Sequence, residues 1–282
     1  MTDTQPTTLT ARTGHVGGAD RTGPADQNGL LDLHGQHVLV AGGGRGIGAA
    51  TAIMAARAGA AVSITYREDS TSAEQTVAAI TATGGRACAY ATDIADEQAT
   101  HAVTDAAVRD LGPLTGLVVS AGIYADGWRP IAETSLDYWN QVMAINLTGT
   151  FLAVRAALPH LRQAPTSSIV IITSTAGQRG AGGNAAYATS KGAQITLMRS
   201  LAQEFAEDRI RVNCVAPAWT DTGTAIPLID RFGRDNIVAN APLGRVGLPD
   251  DSAGAICYLL SDLAVYVTGS TLTVDGGQDM RG

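Results

Sequence analysis

From about Leu33 to its end, the chain alternates short apolar runs with alanine-rich stretches. The runs are His37–Val40, Ala61–Thr65, Ala87–Tyr90, Leu117–Val119, Ile169–Ile172, Ile210–Val215 and Thr271–Val274. Most are continuously apolar instead of alternating with polar positions, the pattern of strands covered on both faces. The stretches between them, such as Ala49–Arg57 and Asp251–Leu260, read as helices. Strand–helix–strand repetition implies right-handed crossovers. The predicted fold is α/β: a doubly wound, seven-stranded parallel sheet flanked by helices.

The first residues break this texture. Residues 1–29 hold seven Thr, five Gly and two Pro against six apolar residues, too few to build a core. Residues 1–32 are therefore expected to be a disordered extension and 33–282 a single domain. A net charge of −7, with no lysine- or arginine-rich block, argues against a nucleic-acid partner. Cys88, Cys214 and Cys257 are far apart and form no Cys-x-x-Cys pair, which disfavours a disulfide framework or a metal site and fits a reducing cytoplasm. No run approaches the eighteen consecutive apolar residues of a membrane span, and no secretory signal opens the chain.

Two regions carry chemistry. Gly42-x-x-x-Gly46-x-Gly48 lies between the first strand and the helix Ala49–Arg57. Glycines there allow a tight turn and bring backbone close to a pyrophosphate, while the helix N-terminus offers unpaired N–H groups to the anion. The spacing differs from Gly-x-Gly-x-x-Gly, and a glycine-rich turn without a nucleotide is the alternative. The second strand ends at Thr65-Tyr66-Arg67, where NAD-selective domains carry an acidic residue for the adenine ribose. With Tyr66 at that place, Arg45 and Arg67 are candidates to pair with a 2′-phosphate, which favours NADPH over NADH. Otherwise Arg67 simply opens a solvated segment, Arg67-Glu68-Asp69. Asp93 is a candidate for the adenine amino group or a plain turn residue.

Farther along, Tyr187 and Lys191 stand four apart in a helical segment, with Ser174 thirteen residues upstream at the end of a strand. Residues at i and i+4 share a helix face, so the ammonium can approach the phenol. A nearby cation lowers a tyrosine pKa from its usual value near 10, which suits proton transfer to an alkoxide. Ser174 either holds a substrate carbonyl or caps a turn. Asn146, a poor helix former within Met143–Leu147, either holds a relay water or packs its amide on nearby backbone.

Taken together, these residues resemble the short-chain dehydrogenase/reductase family over residues 33–278. Gly42, Gly46 and Gly48 match its glycine motif, Asp93 its adenine-binding aspartate, and Val274-Asp275-Gly276-Gly277 its C-terminal ending. Asn146, Ser174, Tyr187 and Lys191 match its catalytic tetrad in order and spacing. The resemblance implies a Rossmann fold and a homotetramer or dimer. Tyr187 would be the acid/base and Ser174 would polarise the carbonyl. Lys191 would bind the nicotinamide ribose and depress the Tyr187 pKa, and Asn146 would anchor a relay water. It also places Gly44, Ile47, Ile94, Ser120, Ala121, Gly122, Pro217 and Thr222 along the cofactor. The chain departs from the family at Ala41 (usually Thr), at Val119-Ser120-Ala121-Gly122 (usually Asn-Asn-Ala-Gly) and at Pro217-Ala218 (usually Pro-Gly).

Substrate choice would fall to a loop of about 217–247 holding Trp219, Ile226, Leu228, Ile229 and Phe232. Tyr124, Trp128 and Gln178 are further candidate liners, with Arg129 and Arg179 as basic residues near an entrance. The aromatics either line an apolar pocket or form the loop's own core. The expected function is NADPH-dependent reduction of a ketone to a secondary alcohol, with Tyr187 as proton donor and a small molecule as partner. An NAD-dependent alcohol or sugar dehydrogenase and a non-catalytic dinucleotide sensor are the alternatives.

Overall fold

The structure, a computed structural model, describes residues 31–124 and 129–279. The expected disorder of the N-terminal extension falls almost wholly on residues outside this range, as does Trp128.

Seven parallel strands form one sheet in the order β3-β2-β1-β4-β5-β6-β7. They are β1 (His37–Ala41), β2 (Ala61–Tyr66), β3 (Ala87–Ala91), β4 (Gly116–Val119), β5 (Ser167–Ile172), β6 (Ile210–Pro217) and β7 (Thr271–Val274). The helices between them are α1 (Gly46–Arg57), α2 (Ser70–Thr81), α3 (Glu97–Leu111), α4 (Leu136–Val142), α5 (Gly149–Leu161), α6 (Thr175–Arg179) and α7 (Ala185–Glu204). After β6 come α8 (Ile226–Phe232), α9 (Arg234–Ala239) and α10 (Pro249–Leu260).

The sheet is buried on both sides, which is why its strands read as unbroken apolar runs. Along β1, Val38 and Val40 join the cluster beneath α1 and α10, whereas Leu39 and Ala41 join the cluster beneath α3, α5 and α7. In β5, Val170 and Ile172 face the first cluster while Ile169 and Ile171 face the second. Alternation along each strand thus supplies two cores of similar character.

A single helix among the described residues, Leu136–Leu161, is long and apolar enough to cross a membrane. Half of its most apolar window is buried, and it packs through α5 on α3, so that surface serves the core. Met143–Thr148 within it winds as a π-helix, a feature found often at functional sites.

The topology sets where a ligand sits. β1 lies between β2 and β4, so the chain winds outward in both directions from this point. Loops leaving the carboxyl ends of β1 and β4 part there and open a crevice, the usual ligand position in open α/β sheets.

Candidate active site

Gly42 begins the turn after β1 with φ +81°, a conformation that favours glycine. Its N–H and that of Gly43 both donate to the Thr65 carbonyl, at 3.1 and 3.0 Å. A Cβ at Gly42 would lie 2.6 Å from the Ala121 nitrogen, so glycine is needed for β1 and β4 loops to meet. Arg45 caps α1 in an extended conformation and its side chain makes no capping bond. The first-turn N–H groups of α1 are therefore without a side-chain cap, beside a cavity of about 470 Å³.

That cavity is lined by Gly42, Gly44, Arg45, Gly46 and Ile47 from the first turn. Tyr66 at the end of β2, Arg67 just after it, Asp93 and Ile94 after β3, and Ser120, Ala121 and Gly122 after β4 line it too. Pro217 and Thr222 complete the wall from β6 and its loop. The sequence-predicted cofactor residues thus converge, with Gly48 set apart. Gly48 lines no part of the cavity; it packs α1 directly on the Gly42 carbonyl. Asp93 reaches the cavity but its Oδ1 also accepts from the Ala95 N–H at 2.9 Å, so it shapes its own turn.

The residues present fit a dinucleotide. The glycine turn would hold the pyrophosphate, and Thr65, Tyr66, Asp93 and Ile94, which line the cavity, would flank an adenosine. A nicotinamide bound beyond Gly122 would give or accept hydride at the reacting carbon.

At the other end, Ser174, Tyr187 and Lys191 share the same cavity. Ser174 caps α6, its Oγ accepting from the Ala176 N–H at 3.1 Å, and it lines the cavity together with Tyr187. Tyr187 stacks obliquely on Tyr124, with ring centroids 4.5 Å apart. Lys191 is buried, and its Nζ donates to the Ile172 carbonyl at 2.8 Å. Ser174 and Tyr187 together can hold a carbonyl oxygen and deliver a proton to it.

Burial pushes the Tyr187 phenol up to about 12, with the Ser174 hydroxyl pulling the other way. The ammonium lies 5.8 Å from the phenol ring centroid, bound to backbone, and burial pulls Lys191 down to about 8. The first proton lost as pH rises is therefore the lysine's, not the tyrosine's. Were Tyr187 to give the proton, it would stay protonated across this range, and the charge that changes is that of Lys191, which would hold a ribose hydroxyl. We expect kcat/KM for the reduced cofactor to decline above about pH 8 and to hold below it, read from a pH profile between 6 and 10. A plateau to pH 10 would mean that Lys191 keeps its proton.

Asn146 is fully buried, and both hydrogens of its amide are taken. Nδ2 donates to the Ile123 carbonyl and to Ser190 Oγ, both at 3.0 Å, while Oδ1 accepts from the Ile123 N–H at 2.8 Å. The side chain ties the loop after β4 to α7, the packing alternative left open by its sequence. Its main-chain carbonyl accepts from Gln194 Nε2 and Thr150 Oγ1. Ser190 and Gln194 are positioning residues that the motif search missed. They stand three residues beyond Tyr187 and Lys191 respectively, a polar stripe of helical spacing that gives the signal.

Of the candidate substrate residues, Tyr124 and Trp219 line the cavity and Gln178 does not. Gln178 Nε2 instead donates to Thr273 Oγ1 on β7 at 3.0 Å. Trp219 has two roles: it faces the cavity and also packs on Phe232 and the cluster of Ile229, Ile237 and Val246. The lid containing α8 and α9 closes at the bridge between Thr220 and Gly247, and Arg234 holds it with a bidentate pair to Asp221 at 2.6 and 2.9 Å.

Comparison with known proteins agrees with this arrangement. A family model described as enoyl-(acyl carrier protein) reductase matches residues 41–279. The inactive 2-(S)-hydroxypropyl-CoM dehydrogenase 2 of Xanthobacter autotrophicus is 41% identical, over 79% of this chain and 96% of its own. The cis-4-hydroxycyclohexanecarboxylate dehydrogenase of Sinomonas cyclohexanicum is 38% identical, over 85% and 94%. A short-chain dehydrogenase/reductase structure from Serratia marcescens superposes with a TM-score of 0.81 at 35% identity, covering 87% of this chain and 98% of its own. On its site and these likenesses alike, the chain is an NAD(P)-dependent oxidoreductase acting on CH–OH or C=O groups and belongs to the short-chain dehydrogenase/reductase family.

Proposed function

We propose that the protein uses NADPH to reduce a ketone to a secondary alcohol, with Tyr187 donating the proton and Ser174 holding the carbonyl. The observation that carries the cofactor choice is the pair Arg45 and Arg67, both lining the cavity where β2 ends in Tyr66 instead of an acidic residue. Two guanidinium groups there can pair with a 2′-phosphate through charge-assisted bonds. Lys191 would hold the nicotinamide ribose, and the Asn146 tie would keep the loop after β4 in register with α7.

A second reading rests on the neighbours of these arginines. Glu68 and Asp69 also line the cavity, and Glu68 pairs with Arg67 at 2.9 Å. If that pair persists with cofactor bound, an NAD-linked alcohol or sugar dehydrogenase follows. Titration with NADPH and NADH by nicotinamide fluorescence separates the two. NADPH is expected to bind at least about tenfold more tightly, from a charge-assisted bond of about 1.5–3 kcal/mol. Arg67→Ala should bring the ratio toward one; tighter NADH binding by the unaltered protein would refute the assignment.

The family's homotetrameric or dimeric state and a cytoplasmic setting belong to the same proposal. β7 is an edge strand, and Leu263, Val265 and Tyr266 beside it are exposed, Tyr266 fully so. Such an edge with apolar neighbours suits a second copy of the chain. Light scattering is expected to give a dimer or tetramer mass, and a monomer mass would rule this out.

A further inference from the structure

The charges lining the cavity divide by location. Glu68, Asp69 and Asp93, with Arg45 and Arg67, belong to the first turn and to the ends of β2 and β3. The wall built from Tyr124, α6, Ala181 and the lid loop contains no acidic residue among the described liners. It contains one charged side chain besides the catalytic lysine: Arg179.

Arg179 closes α6, the short helix capped by Ser174. Five residues of helix separate the two by about 7 Å along the axis, at about 1.5 Å per residue. The Arg179 side chain remains 43% exposed. Among the described residues its partner is the carboxylate of Asp279, met through Nε at 3.4 Å. That contact engages the Nε position of the guanidinium. Bidentate recognition of a carboxylate uses the Nη edge, which no hydrogen bond to a described residue occupies.

We infer that Arg179 anchors a carboxylate on the substrate, so that this site selects oxo or hydroxy acids over neutral ketones and alcohols. The acid group sits several bonds from the reacting carbon, at the far end of α6 from the Ser174 hydroxyl. This rests on the reading of Ser174 and Tyr187 as the carbonyl end of the site.

The test uses the full chain, with NADPH and NADH each supplied, and two ketones of similar shape: 4-oxocyclohexanecarboxylate and 4-methylcyclohexanone. The acid is expected to have a kcat/KM about 10- to 100-fold higher, the span of one charge-assisted contact. Arg179→Gln should bring the ratio near one, and Arg179→Lys should keep part of it. A wild-type ratio near one, or a ratio unmoved in Arg179→Gln, overturns the inference. A second readout does not need turnover: protection against thermal unfolding by cyclohexanecarboxylate and by cyclohexanecarboxamide, with NADP present. Protection by the acid alone, lost in Arg179→Gln, supports the anchor even if neither ketone is reduced, and the failure then lies with the redox reading. Equal or absent protection in the wild type overturns the anchor. A Gln variant that failed to fold would leave the wild-type and Lys comparisons to decide.

Discussion

Replacing Tyr187 by Phe is expected to lower kcat by about 10²- to 10⁴-fold, the usual contribution of a positioned general acid. The substitution removes one oxygen and leaves the packing. The ring would keep its contact with Tyr124, Ser174 would keep its bond from the Ala176 N–H, and Lys191 would keep its bond to the Ile172 carbonyl. Cofactor affinity, followed by nicotinamide fluorescence, should therefore change little while steady-state turnover collapses. The phenol is held above its ordinary pKa by burial, so at neutral pH it keeps its proton and has one to give. Should the variant still turn over at near wild-type rate, the proton would come from elsewhere, with the Ser174 hydroxyl the nearest source. Loss of turnover together with loss of cofactor binding would point instead to a collapsed cavity.

The sequence revealed most of this arrangement because the features concerned are local. All seven strands appear at the predicted places, since a sheet covered on both faces must be apolar throughout. Errors collect at strand ends where polar residues are buried. Ser167 and Ser168 belong to β5, yet read as loop; their hydroxyls donate to the Leu161 and Leu259 carbonyls and so remain satisfied inside the fold. Asn146, Ser174, Tyr187 and Lys191 stood out in the sequence as candidates, whereas the groups they bond were not legible there. The acceptor for Lys191 is a carbonyl on another element, nineteen residues away. Gln178 bonds Thr273 across 95 residues, a pairing that no periodicity encodes. Trp219 shows the limit from the other side. Its apolar character fits a pocket wall and a lid core equally well, and here it serves both.

Gly48→Ala is expected to damage the nucleotide end even though the residue does not face it. Gly48 touches no part of the cavity, but a Cβ there would run into the Gly42 carbonyl and lie 2.9 Å from Ser120 Oγ. The carbonyl is backbone and cannot rotate aside, because the Gly42 and Gly43 N–H groups are both fixed to the Thr65 carbonyl. Either α1 lifts from the turn or the turn leaves β2. Overpacking of this kind costs about 1–3 kcal/mol, and the same displacement moves the α1 N-terminus away from the anion it would face. Melting temperature and dinucleotide affinity should therefore fall together, the latter by about 10- to 100-fold, at tenfold for each 1.4 kcal/mol. Gly254→Ala gives the contrast. That glycine lies within α10, no atom is within 4 Å of its added Cβ, and its φ is not positive. Alanine there should stabilise the helix by up to about 1 kcal/mol. If Gly48→Ala instead melted and bound like the parent, α1 would not be seated on the β1 turn, and the glycine motif would owe its spacing to the ligand alone.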